Sequence, residues 1–579
     1  MLEIFYNSRD TAYKSIFGAV QCATLIKFRI DVRCDAPVKA AIIINHIRHE
    51  MQMDSLTGDL SVFTLSLHSL HKPGLMYYHF EVSTPYHTVY YGNDMDMLQG
   101  IGKKYDKKPL DYQITVYDKF NTPDWIKGRV MYQIFPDRFY KDNIKLSPYW
   151  NRYFHENWYE DPYIEGDFKS GTMECSDFFG GNLDGIIKKL DYIKSLGVGV
   201  IYLNPIYLAY SNHRYDVADY MSVDDTLGEE NDLRILCEEA KKRDIYIILD
   251  MVFSHTGSDS VYFNKNMTFG YQGAFNDKQS EYRSWYVFKK DNTYESWWGI
   301  ETLPNTIETN PSFMSHTLSS LEKWMNLGIK GFRLDVADEL PDEYIKALRS
   351  KIKSIDNQSV LIGEVWEDAS NKSSYGKKRE YLYGYELDSV MNYPYRDALI
   401  NYTLGKIDAK TFCRKIEIIR ENYPKQVYEC LMNMLSTHDV SRILSVLGGK
   451  SDFENIPRNQ QKNIYLNKEE YEIAVKRLNF IISLLICLPG VPTIYYADEA
   501  GSQGLKDPFN RRTYPWGKED LRIFEIYKGF LNQRSSNELL RYGTFSISEK
   551  EDNILIKREY GQEVSTFIFN NTKLSYIKI

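Results

Sequence analysis

An arginine and an aspartate stand two positions apart in the segment GFRLDVADE, residues 331–339. Arg333 and Asp335 lie on the same face if this segment forms a strand, because side chains alternate between the two faces of a strand. Such a pair is either a structural ion pair or a carboxylate held ionised for chemistry. The positions of the other charged residues decide between these alternatives.

Further carboxylates and histidines follow other apolar segments that are predicted strands. They are Asp250 and His255 after the third predicted barrel strand, Glu364 after the fifth, and His438 and Asp439 after the seventh. In a barrel of parallel strands the carboxyl ends meet at one rim, where functional residues collect. Asp250 and His255 alone could equally ligate a metal, and each residue alone could be structural. Together they predict a catalytic site.

Carboxylates that share a dry pocket raise each other's pKa, whereas a neighbouring arginine lowers the pKa of the carboxylate it contacts. Cleavage of a glycosidic bond with retention needs this division into an ionised nucleophile and a protonated acid. We expect Arg333 to keep Asp335 ionised as the nucleophile, and Glu364 to act as acid and then as base. Asp439 is expected to bind sugar hydroxyls, with His255 and His438 as further hydrogen-bond donors.

Composition excludes several classes of protein. The chain has 579 residues, of which 43% are hydrophobic and 26% charged, as is typical of a folded protein. Its formal net charge of −8 gives no support to a nucleic-acid or anionic-membrane partner. No apolar run is long enough to span a bilayer, and the N-terminus lacks the apolar core of a signal peptide. Seven cysteines without a CxxC motif predict a cytoplasmic setting.

From residue 130 onward, short apolar segments alternate with amphipathic helical segments such as 182–197 and 341–355. Continuous apolar runs are typical of parallel strands buried on both faces. The predicted fold is therefore α/β, a (β/α)8 TIM barrel with an inserted lobe after strand 3. The predicted strands are 130–136, 197–205, 245–253, 331–336, 360–365, 386–393, 433–439 and 490–499.

Three units are predicted along the chain. Residues 1–122 alternate apolar and polar side chains and predict an N-terminal β-sandwich. Residues 123–516 hold the catalytic barrel, with the inserted lobe at about 256–305, and 517–579 form a short C-terminal β-domain. Tyr90 and Tyr91 are either a sugar-binding platform of the sandwich or strand packing.

Four motifs occur in order along the predicted barrel: DMVFSH (250–255), GFRLDVADE (331–339), GEVWED (363–368) and LSTHD (435–439). The set resembles glycoside hydrolase family 13, the α-amylase family. The N-terminal β-domain and five further segments are similar to its subgroup of neopullulanase, cyclomaltodextrinase and maltogenic amylase. These segments are YQIFPDRF (132–139), FFGGNLDGI (178–186), HRYDVADY (213–220), MNYP (391–394) and DPFNRRTYPW (507–516).

The resemblance implies further contacts with a sugar chain. Tyr215 would stack under the sugar at the cleavage point, with His213 close by. Asp507 and Arg511 would lie further along the non-reducing side of the cleft. Trp366 would border the cleavage point and the acceptor side. The alternatives are packing for the aromatic residues and an ion pair within a loop for the last two charged ones.

The sequence departs from the family pattern at two places. Asp338 stands where the family usually has a non-acidic residue, which puts the acceptor-side preference in doubt. Asn182 stands where relatives with a calcium site often carry Asp, and YKDNIKLSPYW (140–150) lacks their Asn/Gly/Asp-rich loop. Because calcium needs several oxygen ligands, we predict no metal site and no required cofactor, and calcium stays an alternative.

The resemblance implies a retaining α-glucan hydrolase that cuts α-1,4 bonds in maltooligosaccharides, cyclodextrins and pullulan. An α-1,6-acting pullulanase or oligo-glucosidase, or a transglycosylase, would use the same catalytic residues. A non-catalytic family member is a further alternative, which the presence of all three carboxylates disfavours. The resemblance also implies a homodimer through the N-terminal domain.

Overall fold

The N-terminal region forms two packed β-sheets in the computed structural model, which describes residues 2–143, 145–163 and 175–579. In the strand Leu25–Arg33 alternate side chains point inward, so that Ile26, Phe28, Ile30 and Val32 are buried. One sheet has the order Glu3–Phe5, Leu25–Arg33, Leu60–His68 and Gln52–Thr57. The other contains Lys103–Tyr105, Thr88–Gly92, Gly74–Ser83, Tyr112–Tyr117 and Val20–Gln21. Lys39–Ile44 also pairs with Gly74–Ser83, and Ile47–Glu50 pairs with Lys39–Ile44.

The two tyrosines considered as a sugar-binding platform do not form one. Tyr91 is 3% exposed, and its hydroxyl donates to the carbonyl of Gly102 at 2.9 Å. Tyr90 is half-buried, with its ring edge-on to His79. The platform hypothesis is therefore wrong for Tyr91, because its side chain points into the sandwich core.

Eight parallel strands form the barrel, as the apolar segments predicted. They are Val130–Ile134, Val198–Leu203, Tyr246–Met251, Gly331–Leu334, Val360–Gly363, Ser389–Val390, Met432–Met434 and Val491–Tyr495. A further parallel bridge between Met391 and Met432 joins the sixth and seventh strands and closes the sheet. These two strands are shorter than predicted. The chain leaves the sixth early because Asn392 caps the helix that follows, accepting from the amide of Tyr395.

Helices surround this barrel. Those with one buried face include Asp342–Ile355, which buries Tyr344, Ile345, Leu348 and Ile352. The remaining α-helices of the described chain are Leu183–Lys188, Leu190–Ser195, Glu230–Lys242, Pro311–Asn326, Tyr393–Thr403, Ala409–Asn422, Lys425–Tyr428, Ile443–Leu447, Arg458–Gln461, Lys468–Cys487, Leu521–Ser536 and Glu538–Tyr542. Among the described residues, no helix has the length and apolar character that crossing a membrane requires.

Residues 256–305 form the lobe after the third strand, and aromatic side chains hold it together. Phe263 is fully buried and packs against Tyr286, Phe288 and Tyr294. A bridge between His255 and Asn305 joins the two ends of the lobe beside the rim of the barrel. The lobe therefore begins and ends next to the predicted site.

Two contacts fix the terminal regions on the barrel. Glu421, in the helix Ala409–Asn422, is buried and pairs with Arg9 at 3.0 Å and Lys14 at 3.3 Å, both from the sandwich region. Arg534 is fully buried and donates to the carbonyls of Ile486 and Leu488. After it, an antiparallel sheet of Thr544–Lys550, Asn553–Tyr560, Glu563–Asn570 and Ser575–Lys578 ends the chain.

Candidate active site

Arg333 lies at the centre of the candidate site and contacts three carboxylates. Its Nη1 is 2.7 Å from Oδ1 of Asp250 and 2.8 Å from Oδ1 of Asp335. Its Nη2 is 2.9 Å from Oε2 of Glu364. The guanidinium is fully buried, so these ion pairs are weakly screened by water. Arg333 and Asp335, the pair from which the sequence analysis began, therefore belong to a cluster of four residues that also contains Asp250 and Glu364.

Strand ends bring these side chains together. Asp335 and Glu364 each follow the last residue of a strand, Leu334 and Gly363, and those strands are neighbours. Val336 then adopts left-handed backbone angles, φ 38° and ψ 52°, which are costly for a β-branched residue. In this conformation its amide donates to Oε2 of Glu364 at 2.8 Å. The strained turn thereby links the two catalytic candidates.

Asp439 approaches the cluster from the seventh strand. Its Oδ1 is 3.3 Å from Nε2 of His438 and 3.9 Å from Nη2 of Arg511. Arg511 also pairs with Asp507, with Nη1 3.3 Å from Oδ1. Asp507 and Arg511, the predicted residues of the DPFNRRTYPW segment, therefore reach the same site. Their contact with each other is the ion pair within a loop that was the alternative interpretation of these two residues.

Asp250 and Tyr215 form the floor beside Arg333. The hydroxyl of Tyr215 donates to Oδ2 of Asp250 at 2.7 Å, and the hydroxyl of Tyr202 reaches the same oxygen. Tyr215 is stacked on His438, with the ring planes 5° apart and the centroids separated by 5.2 Å. Its ring is thus fixed in orientation by a carboxylate and a histidine.

Three histidines surround the carboxylates as neutral rings, of which His255 and His438 are buried and His213 is half-buried. Burial lowers the pKa of His213 and His438 well below the ordinary value, helped by Arg511, and lowers that of His255 to about 3. Gln133 donates its side-chain amide to Nδ1 of His438 at 3.0 Å. In a neutral ring this leaves Nε2 as the protonated nitrogen, which faces Asp439.

Trp366 is a predicted site residue that is 45% exposed. Its Nε1 donates to Oε1 of Glu364 at 3.0 Å, and its ring lies 3.9 Å from that of Tyr393, 10° from parallel. The indole is therefore held beside Glu364 with part of its surface open to solvent.

A cavity of about 880 Å³ opens over this cluster. It is large enough for a ligand of several rings. Ten of the predicted site residues line it, and Asp250 and Arg333 lie buried beneath. The ten are His213, Tyr215, His255, Asp335, Glu364, Trp366, His438, Asp439, Asp507 and Arg511.

Comparison with known families agrees with this geometry. Residues 133–538, which include all of the barrel except the start of its first strand, match the family described as "Alpha amylase, catalytic domain". The chain belongs to the α-amylase family. The match covers more than half of the chain and every residue of the cluster, so the resemblance seen in four motifs is confirmed.

Relatives within the α-amylase family carry several names. An amylopullulanase of Thermoanaerobacter thermohydrosulfuricus is 36% identical over 93% of this chain, and the match spans 39% of that relative. A cyclomaltodextrinase of Thermoanaerobacter pseudethanolicus is 31% identical over 79% of this chain and 73% of its own length. A cyclic α-maltosyl-(1→6)-maltose hydrolase from Arthrobacter globiformis superimposes with a TM-score of 0.65 at 27% identity, covering 78% and 92% of the two chains.

The pKa values differ from the sequence prediction for Asp335. Burial raises the pKa of the Asp335 carboxyl well above its ordinary value, and Glu364 raises it further, while Arg333 lowers it. Arg333 therefore favours the ionised form of Asp335, but its effect on the pKa is smaller than that of burial. Desolvation and the neighbouring carboxylates raise the pKa of Asp335 by more than the single guanidinium of Arg333 lowers it.

Asp439 gives a testable dependence of stability on pH. Its side chain is 28% exposed, and its partial desolvation in the cavity together with the charge of Glu364 raises its pKa from an ordinary value near 3.8 to about 7. An aspartate with a raised pKa in the folded state stabilises the fold below its unfolded pKa, and this contribution is lost as the pH rises through about 7. We expect the Tm of the protein to fall from pH 5 to pH 8, and Asp439→Asn to make that fall smaller.

The measurement is thermal unfolding at both pH values. The control is Asp397→Asn, since the Asp397 side chain is 64% exposed and lies on the helix Tyr393–Thr403. This control should keep the full fall. Equal falls in the wild type and in Asp439→Asn would contradict the assignment.

The residues considered for calcium do not fit a calcium site. Oδ1 of Asn182 accepts from the amide of Gly185 at 2.9 Å and caps the helix Leu183–Lys188. Asp142 is paired with Lys188. In the segment 140–150, Ile144 lies outside the described residues. Elsewhere in the described chain, no group of three or more His, Cys, Asp or Glu side chains is arranged to hold a metal ion.

Four residues of the site were not predicted from the sequence. Tyr202 and Gln133 lie inside the barrel strands, where apolar runs hide single polar side chains. Trp297 and Glu339 line the cavity, and the indole of Trp297 donates to Oε2 of Glu339 at 2.7 Å. Glu339 is part of GFRLDVADE, so its place in a motif with three other charged residues was an available signal.

Proposed function

We propose that the protein is a retaining α-glucan hydrolase that cleaves α-1,4 glucosidic bonds. The observation that carries this proposal is the cluster in which one buried guanidinium contacts Asp335 and Glu364, beneath a cavity lined with aromatic side chains. Two carboxylates that reach one guanidinium are close together, as suits a retaining mechanism, in which the second carboxylate attacks directly.

In the first step, Asp335 attacks the anomeric carbon while Glu364 gives its proton to the leaving glycosidic oxygen. The bond to that oxygen breaks and a glycosyl ester of Asp335 forms. In the second step, Glu364 takes a proton from water, which attacks the anomeric carbon and releases Asp335. The raised pKa of Asp335 means that binding of sugar and Arg333 must together favour its ionised form.

Asp439 and His438 are proposed to bind hydroxyls of the sugar being cleaved. Asp439 presents carboxylate oxygens at the cavity, and neutral His438 carries its proton on Nε2, which contacts the hydroxyl of Tyr215 in this structure and would be shared with a sugar hydroxyl. Hydrogen bonds to hydroxyls that strengthen as the ring gains positive charge would lower the barrier. Tyr215 supplies the aromatic face below that sugar.

A product analysis tests the proposed substrate class. The purified protein is incubated in parallel with soluble starch, β-cyclodextrin and pullulan, and the products are separated by chromatography. We expect maltooligosaccharides from starch, opening of the cyclodextrin ring, and panose from pullulan. No product from any of the three would contradict the proposal.

Hydrolysis of α-1,6 bonds in pullulan is a second candidate. It is favoured by the relatives named amylopullulanase, whose similarity includes 93% of this chain. The chain spans less than half of each of these relatives, so their activity is only a proposal here. Maltotriose as the product from pullulan would support α-1,6 cleavage, whereas panose supports α-1,4 cleavage.

We propose that the reaction needs no metal or other cofactor. The acid, the nucleophile and the hydroxyl-binding groups are all side chains of the chain, and the calcium candidates are engaged in a helix cap and an ion pair. Treatment with EDTA should therefore change the Tm by less than about 2 °C. A drop of 5 °C or more, reversed by calcium, would contradict this prediction.

The assembly and location are proposed from the surface and the cysteines. A homodimer through the N-terminal region is supported by the edge strand Gln52–Thr57, in which all six residues are exposed, among them Met53 and Leu56. A monomer in analytical ultracentrifugation would contradict it. The seven free cysteines support a cytoplasmic location.

A further inference from the structure

Two exposed aromatic residues adopt left-handed backbone conformations near the cavity. Trp298 has φ 50° and is 73% exposed, and Tyr375 has φ 49° and is 77% exposed. Bulky residues rarely adopt these angles, and each is followed by a glycine that does so easily, Gly299 and Gly376. Neither ring is buried enough for packing to account for the strained backbone, which is a reason to look for a function.

Both aromatic side chains converge on the same carboxylate, Glu339. Nε1 of Trp298 donates to Oε1 of Glu339 at 3.0 Å, and the hydroxyl of Tyr375 lies close enough to the same carboxylate to lower its pKa. Trp297 supports Trp298 from one side, with ring centroids 4.6 Å apart and planes 9° from parallel. The two exposed rings are therefore held in defined orientations by groups that join the lobe, the turn after the fourth strand and a hairpin.

The hairpin that carries Tyr375 consists of Ser373–Ser374 and Lys377–Lys378. The hydroxyl of Ser374 donates to the carbonyl of Asp338 at 3.0 Å, and Nζ of Lys372 is 3.0 Å from Oδ2 of Asp338. Asp338, the residue that departs from the family pattern, thus fixes the hairpin. Its contacts explain how Tyr375 stays beside Glu339 although it is exposed.

Glu339 and Trp298 line the cavity together with Trp366, which borders Glu364. Burial raises the pKa of Glu339 and the charge of Glu364 raises it further, so the two carboxylates lie near each other. The leaving part of a bound glucan lies on the side of the acid, because the acid protonates the leaving oxygen. The leaving or acceptor chain is therefore expected beside Trp366, Trp298 and Glu339.

We propose that Trp298 and Tyr375 form an aromatic clamp that stacks on glucosyl units of the acceptor chain beyond Trp366, with Glu339 as its anchor. This inference rests on the proposed function. The C–H face of a glucose ring is apolar and packs on aromatic faces, while exposed rings with anchored polar ends lose little freedom on binding. The clamp would make longer acceptors better competitors of water for the glycosyl enzyme.

The test uses the ratio of transfer to hydrolysis. The purified protein is given α-maltosyl fluoride as donor, with either maltotriose or glucose as acceptor, and initial products are separated by chromatography. Transfer and hydrolysis start from the same glycosyl enzyme, so their ratio reports how the acceptor competes with water. We expect the ratio with maltotriose to fall about three- to tenfold in Tyr375→Asn and in Trp298→Asn. With glucose, which is too short to reach the clamp, it should fall less than about twofold.

Asparagine is chosen because it tolerates the left-handed backbone better than an aromatic residue. The Tm of Tyr375→Asn should therefore equal or exceed that of the wild type, which separates loss of binding from loss of folding. Tyr86→Asn is the matched control, because Tyr86 is 85% exposed in the N-terminal region. An unchanged maltotriose ratio in both variants, or an equal fall with glucose, would overturn the clamp alone. Absence of fluoride release by the wild type would overturn the proposed function and the clamp with it.

Discussion

Replacement of Asp335 by Asn is expected to lower turnover of soluble starch by about 10,000-fold or more. The amide cannot form the glycosyl ester, and Asp250, the other carboxylate on Nη1 of Arg333, is fully buried beneath the cavity and cannot replace Asp335. The substitution also relieves repulsion among buried carboxylates, which raises the pKa of Asp335 in the wild type. Glucan binding should therefore remain measurable by calorimetry, and the Tm at pH 8 should not fall.

Asp338→Asn is the matched control for this prediction. Asp338 lines the same cavity three residues further on, but its partners are Lys372 and Tyr381 rather than Arg333. We expect this variant to lose less than about tenfold in turnover. Turnover of Asp335→Asn within tenfold of the wild type would contradict its role as nucleophile.

Replacement of Glu364 by Gln is expected to lower starch hydrolysis by about 100- to 10,000-fold. The residue must give a proton to a poor leaving group, which an amide does not do. An aryl α-maltoside with a good leaving group does not need that proton, so the burst of aryl alcohol from its first step should stay within about tenfold of the wild type. The second step, which needs Glu364 as base, should then become rate-limiting.

The measurement is rapid-mixing kinetics with both substrates. Glu367→Gln is the control, because Glu367 follows three residues later and its side chain is 64% exposed, paired with Lys372. An equal loss on the aryl substrate and on starch would contradict the assignment of Glu364 as acid.

The barrel could be predicted from the sequence because its strands are buried on both faces. Segments such as IYIILDMVF lack the alternation of apolar and polar residues that is typical of surface strands. Asp250, near the end of this segment, marks the carboxyl end of the strand at the rim of the barrel. The positions of Arg333, Asp335 and Glu364 follow from the same logic, since each lies at or just after a strand end. The sixth and seventh strands were predicted too long because residues just beyond them serve other roles: Asn392 caps the next helix, and His438 and Asp439 line the site.

Two features of the site could not be predicted because they depend on several chain segments at once. The pKa of Asp335 results from burial and from three carboxylates on other strands, none of which is visible next to Arg333 in the sequence. The placement of Trp298 and Tyr375 around Glu339 joins residues about 40 and 80 positions apart. For Tyr91 the structure decides between the two alternatives in favour of strand packing, because adjacent tyrosines on a strand point to opposite faces and Tyr91 is the one that points inward.

The anomeric configuration of the first product tests the central claim most directly. The protein is mixed with maltotetraose at high concentration, and proton NMR spectra are recorded before mutarotation equilibrates the anomers. Hydrolysis through an ester of Asp335 predicts that the new reducing end appears first as the α-anomer. First appearance of the β-anomer would show direct attack by water, and no cleavage at all would contradict the assignment of the Arg333 cluster as a glycosidase site.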